Sequence, residues 1–141
     1  MIRRFLLFAL AVSLLPAAGG AQGAGERLFS YVDRADSYNS LVQHIDEITV
    51  VAPQVYVVDS LGIMWGTLDK RVASLAKKHG VKVMPLFTNE CFNQQELHKL
   101  LADTVAQRTA VESMVAICKA NDYWGLQFDV ENLNIVDRDR F

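Results

Sequence analysis

Gly125-Leu126-Gln127-Phe128-Asp129-Val130-Glu131-Asn132 alternates apolar and polar residues close to the end of a 141-residue chain. The fold turns on that alternation. In an extended strand successive side chains point to opposite faces. Leu126, Phe128 and Val130 therefore share one face, and Gln127, Asp129 and Glu131 share the other, with neighbours on a face about 6.6–6.8 Å apart. A strand covered by helices on both faces, as in a doubly wound sheet, is apolar throughout. A polar ladder near a strand's C-terminal end suits a (β/α)8 barrel, whose interior opens into a catalytic mouth.

Upstream, helical and extended patterns alternate. Residues 27–32, 48–59 and 81–88 are rich in β-branched and aromatic residues and read as strands. In the second, Gln54 and Tyr56 stand opposite Val55 and Val57, again placing polar groups on one face. Helices are expected over 37–48, with Leu41, Ile45 and Ile48 inward and Ser37 as N-cap, and over 68–80, with Thr67 as N-cap and Gly80 at C′. Asn93 with Glu96 makes a capping-box-like start for a helix to about Leu101, and a longer helix covers about 104–120. Helices between successive strands imply a parallel sheet with crossovers on its faces. Four such units are half of a barrel, which needs about 250 residues. The expected architecture is α/β, a (β/α)8 TIM barrel truncated to its first four βα units over 27–141. As part of a longer reading frame, its two outer strands would leave open edges and the chain alone would be inactive and prone to aggregate.

The start of the chain is of another kind. Met1–Arg4 is basic, Phe5–Leu15 is apolar, and Pro16–Ala21 is rich in small residues, the layout of a secretory signal peptide cleaved after Ala21. Eleven apolar residues fall short of the roughly 20 that span a bilayer. Residues 22–26 read as a flexible lead-in. The protein is expected to be secreted or periplasmic, without stable membrane insertion after cleavage. Loss of Arg3 and Arg4 leaves 12 basic residues against all 16 acidic ones, a net −4 without a basic cluster. That excludes a nucleic-acid partner. Cys91 and Cys118 are the only cysteines; export permits a bridge, but Cys118 shares a helical face with Val111, Met114 and Val115, so a buried thiol is the competing reading. No cysteine or histidine spacing suits a metal, and no cofactor is expected.

Polar groups on a buried face are costly unless they bond one another or a ligand. Two neighbouring carboxylates also resist ionising together, which keeps a proton available on one of them. Glu131, nearest the strand's end, is the candidate proton donor and Asp129, one layer deeper, its partner.

Here the chain resembles a family. Trp124-Gly125-Leu126-Gln127-Phe128-Asp129-Val130-Glu131 is similar to the strand-four signature of glycoside hydrolase family 18, D-G-x-D-x-D-x-E. The segments SYVDRADSYNSL, ITVVAPQVYVVDSLG and HGVKVMPLFTN resemble the first three βα units of its bacterial branch related to spore-cortex peptidoglycan hydrolases. The resemblance covers about 27–141. It implies that Glu131 protonates the glycosidic oxygen, while Asp129 orients the substrate's N-acetyl group for attack on the anomeric carbon. The implied substrate is a β-1,4-linked N-acetylglucosamine polymer of peptidoglycan or chitin type, and the implied state is a monomer at full length. Trp124 replaces the first Asp of the signature and Gln127 the second. Gln127 can hydrogen-bond Asp129 but cannot take up its charge. The third strand has PLFTN where the family commonly has S-x-G-G, which fits the peptidoglycan-related branch better.

Other residues carry two readings. Tyr56 lines the sugar pocket or packs within the barrel; Trp65 stacks on a sugar ring or packs a turn. Asn89 and Asn132 fall where barrel loops face substrate. Trp124 is expected in the core, His44, His79 and His98 on the surface, and Asp137 as the N-cap of a solvated helix start. A non-catalytic carbohydrate-binding barrel is the alternative function, favoured by Gln127 and Trp124.

Overall fold

The computed structural model describes residues 25–141; the segment read above as a signal peptide lies outside them. The elements are β1 (Leu28–Tyr31), α1 (Ala35–His44), β2 (Val50–Val58), β3 (Met64–Trp65), α2 (Lys70–His79), β4 (Lys82–Val83), β5 (Leu86–Asn89), α3 (Gln94–Ala102), α4 (Thr104–Ala120) and β6 (Gln127–Asp129). β1, β2, β5 and β6 lie side by side in chain order, each pair parallel. β4 also runs parallel to β2, so β4 and β5 form one strand path, broken at Met84-Pro85 where proline has no N–H to give. The short β3 folds back antiparallel onto the end of β2, with Trp65 opposite Val57.

The four α-helices among the described residues pack against one face of this sheet. Tyr31 of β1 and Val51 of β2 meet Leu41 of α1 and Val72 and Ala76 of α2. Tyr56, Val58 and Phe87 meet Leu97, Leu100 and Leu101 of α3 and Ala106, Ala110 and Met114 of α4. Val55 and Tyr123 touch both clusters and join them into one layer. A doubly wound sheet would carry helices on both faces. The β6 alternation appears as expected: Leu126 and Val130 pack on the helix-side core, and the β5 register sets Phe128 beside Phe87 and Asp129 beside Thr88.

Helix ends follow local chemistry. Asn93 accepts from the N–H groups of Gln95 and Glu96 and starts α3, although Glu96 turns to Lys99 instead of closing a capping box. Gly80 ends α2 at φ 67°, a left-handed conformation that favours glycine. Two expected caps are displaced. Asp69, not Thr67, caps α2 through the Arg71 N–H, and α1 begins at Ala35, which puts Ser37 inside its first turn. A carboxylate beside the first turn accepts more strongly than a hydroxyl two residues earlier.

Two further expectations need correction, and the cysteine alternative is resolved. Trp124 is 52% exposed, with the Lys82 ammonium 4.1 Å from its ring centre, a cation–π contact in place of core packing. Asp137 is fully buried and accepts from His98 Nδ1 at 2.8 Å and Arg140 at 3.1 Å; Asn134 provides the N-cap of the short 3-10 turn Ile135–Asp137. His98 is therefore a partner of a buried carboxylate, tying α3 to the segment after β6. Cys91 and Cys118 are both free thiols, Cys118 half-buried with burial pushing its ionisation upward.

Two phenols are tuned by the core. Burial, then Asp33, pushes Tyr31 up to about 12, and burial, then the Tyr56 hydroxyl 2.9 Å away, raises Tyr123 further. A raised phenol favours the neutral form in the folded state. That stabilisation is complete below the ordinary value of 10.0 and is lost as pH rises through the folded value. Urea midpoints should hold to about pH 9 and fall steeply between pH 10 and 12. Tyr123→Phe should flatten that fall while costing about 0.5–1.5 kcal/mol at neutral pH through the lost hydroxyl bond. An unchanged alkaline slope in the variant counts against this origin.

Candidate active site

The C-terminal ends of the parallel strands gather polar side chains on the face that no described helix covers. Gln54 of β2 donates to Asp129 Oδ2 at 3.4 Å, reaching across β5, which lies between their strands. Residues of alternate strands share a layer inside a curved parallel sheet, which explains why the partner of Asp129 is Gln54 and not Gln127. Gln127 precedes Asp129 by two residues on one strand, a spacing of about 6.6–6.8 Å that side chains do not readily bridge. A shallow cavity of about 260 Å³ opens beside Gln54, lined also by the following β2 residues 55–57, Tyr56 among them, and by Thr88, Asn89, Cys91 and Phe92.

Glu131 stands just beyond β6 with its side chain exposed. Its main chain is fixed. The Asn89 amide, 3% exposed, accepts from the Glu131 N–H at 3.0 Å and donates to the Glu131 carbonyl at 3.2 Å. Asn132 adopts φ 64° and donates from its side chain to the Phe92 carbonyl at 3.2 Å. Asparagine tolerates this left-handed conformation better than most residues. Cys91 and Phe92, in the turn after β5, also have positive φ values of 48° and 52°.

The sequence-level candidates thus divide. Asp129, Glu131, Asn89 and Asn132 come together at the ends of β5 and β6, and Gln54 joins them from β2. Trp65 is 44% exposed where β3 pairs with the end of β2. Gly66 beside it has φ 129°, and a side chain there would collide with the Val55 carbonyl, so glycine lets β3 lie against β2. Tyr56 borders the cavity beside Gln54, but its ring packs away from these groups. It is 4% exposed on the helix side, its ring stacked 5.0 Å from that of Phe87. The β2–β5 register slips between Gln54 and Tyr56, and this bulge reverses the face that strict alternation assigns to Tyr56. Asn89 spends its amide on the Glu131 main chain, so its part is structural. The clasp was not foreseeable from strand alternation, because it depends on a side chain pairing with backbone beyond the end of a neighbouring strand.

The fold has known counterparts. A chitinase from Chromobacterium violaceum superposes with a TM-score of 0.74 at 22% identity, over 84% of this chain and 39% of that one. The spore cortex-lytic enzyme SleL of Bacillus cereus gives 0.73 at 15%, over 82% and 29%. A class V chitinase from Pseudomonas fluorescens gives 0.73 at 18%, over 83% and 38%. At 15–22% identity the likeness is one of fold, a mixed α/β arrangement with a parallel sheet. In sequence, an uncharacterized glycosylase of Bacillus subtilis, YvbX, is 20% identical over 147 residues, 97% of this chain and 43% of the relative. No family profile matches. The chain spans less than half the length of these proteins.

Proposed function

We propose that this chain is the first half of a glycosidase-type (β/α)8 barrel of the family 18 kind, acting on β-1,4-linked N-acetylglucosamine polymers outside the cytoplasm. One observation carries the reading. Asp129 and Glu131 lie at the C-terminal end of a parallel strand, Asp129 on the face that no described helix covers, with Asp129 gripped from an alternate strand. Active sites of (β/α)8 enzymes lie at that end of the strands. The fold likeness to two chitinases and a cortex-lytic enzyme, and the YvbX relative described as a glycosylase, support the substrate class.

In this reading Glu131 donates a proton to the glycosidic oxygen as the bond to the anomeric carbon breaks. Asp129 holds the N-acetyl N–H so that the acetamido carbonyl oxygen attacks the anomeric carbon from the opposite side. Water then opens the cyclic intermediate, with Glu131 recovering a proton from it. Two inversions give net retention. Gln54 keeps the Asp129 carboxylate turned inward, and Trp65 offers an exposed aromatic face at the rim.

The test is stereochemical. Full-length protein incubated with N-acetylglucosamine hexamer or purified peptidoglycan glycan strands should first release products of β configuration, followed by proton NMR before mutarotation. Initial α product would overturn the mechanism. Gln127 favours a second reading, a carbohydrate-binding barrel without catalysis; saturable binding of the hexamer with no product at all would support that one.

A further inference from the structure

The two hydrogen bonds between the Asn89 amide and the Glu131 backbone have no counterpart in the strand ladder. The β5–β6 pairing ends at Thr88 and Asp129. Glu131 lies two residues past it, where an unpaired backbone would be free to pivot. Asn89 is almost fully buried, and its side chain presents both an acceptor and a donor in one rigid plane to the Glu131 N–H and carbonyl. A side-chain amide here replaces the main chain of a longer strand. On the other side of Glu131, Asn132 is tied to Phe92 from a left-handed conformation. Three residues with positive φ that are not glycine (Cys91, Phe92 and Asn132) cluster in these two adjoining turns. Such conformations persist only where the surroundings enforce them, and they concentrate where function needs a fixed geometry.

We infer that Asn89 is a positioning residue that splints the Glu131 backbone beyond the end of β6, with Asn132 as the second tether. The inference rests on the reading of Glu131 as the proton donor. It assigns to Asn89 a role in aiming that carboxyl group and no contact with the sugar. The chemistry sets the consequence: proton transfer requires hydrogen-bond reach of the glycosidic oxygen, and a displacement of about 1 Å at such a group lowers rate by about 10²-fold. Substrate affinity, supplied by the rest of the site, should change little.

Three variants of the full-length protein test this. Asn89→Leu removes donor and acceptor at similar volume, Asn89→Asp keeps the acceptor and loses the donor, and Val72→Ala destabilises the distant α1–α2 core as a control. Two measurements are made, hydrogen exchange of the Glu131 amide and steady-state hydrolysis of N-acetylglucosamine hexamer. Asn89→Leu should speed Glu131 amide exchange by about tenfold or more and lower kcat by about 10²-fold, with KM within about threefold. Asn89→Asp should leave the Glu131 amide protected and lower kcat less. Val72→Ala should alter neither, even with the larger loss of thermal stability. Unchanged Glu131 exchange in Asn89→Leu overturns the splint. So does a kcat loss that tracks melting temperature equally in Asn89→Leu and Val72→Ala. If the unaltered protein hydrolyses nothing while Asn89→Leu still frees the Glu131 amide, the splint stands and the catalytic reading of Glu131 falls.

Discussion

Glu131→Gln in the full-length protein should lower kcat on N-acetylglucosamine oligomers by about 10²- to 10⁴-fold, the usual contribution of a positioned general acid. Hexamer affinity should stay within a few-fold, because glutamine keeps the shape and one carbonyl oxygen while losing the proton. The leaving group offers a sharper readout. A sugar alkoxide needs protonation to depart, whereas a dinitrophenolate departs without it. Glu131→Gln should therefore be far less damaging on a dinitrophenyl N-acetylglucosaminide than on the hexamer. Asp129→Asn should impair both substrates alike, since the acetamido group must be aimed whatever leaves. Comparable losses on both substrates for Glu131→Gln would remove Glu131 from the role of proton donor.

The helix pattern was readable because each signal was local. In α4 the apolar period and the residues around Thr104 and Ala120 suffice to bound it, and Asn93 and Gly80 act as caps within their own turns. The polar ladder of β6 was equally local, since alternation over 126–131 fixes which residues share a face. What sequence missed depends on long-range geometry. Strict alternation through β2 assigns Tyr56 to the interior, but a bulge before it turns the ring toward α3 and α4. The Gln54–Asp129 bond joins residues 75 positions apart and follows from strand stagger. Asp137 resembles a surface cap in the run Asp-Arg-Asp-Arg; it is buried because His98, on a helix 39 positions earlier, and Arg140 both reach it. A charged run shows its sign but not which member faces inward.

Phe87→Ala should be the most destabilising single change in the chain. Phe87 is 1% exposed at the centre of the sheet, and the register sets Tyr56, Phe87 and Phe128 in one row across β2, β5 and β6. Removing a buried phenylalanine costs about 3–5 kcal/mol, against a typical domain stability of about 5–15 kcal/mol. The melting temperature should drop by roughly 10–20 °C, or the chain should fail to fold, as read by circular dichroism. Phe128 makes this row informative about the architecture. It occupies the same face yet is 57% exposed, beside an apolar groove of about 310 Å³ that includes Val130, Met114 and Val111. In the 141-residue chain Phe128→Ala should cost under about 1 kcal/mol, since little contact is lost. In the full-length protein, a further βα unit packed over β6 should raise that cost toward the value at Phe87. An equally small cost in both would mean that the apolar face of β6 stays uncovered, and the half-barrel proposal would fail on that result.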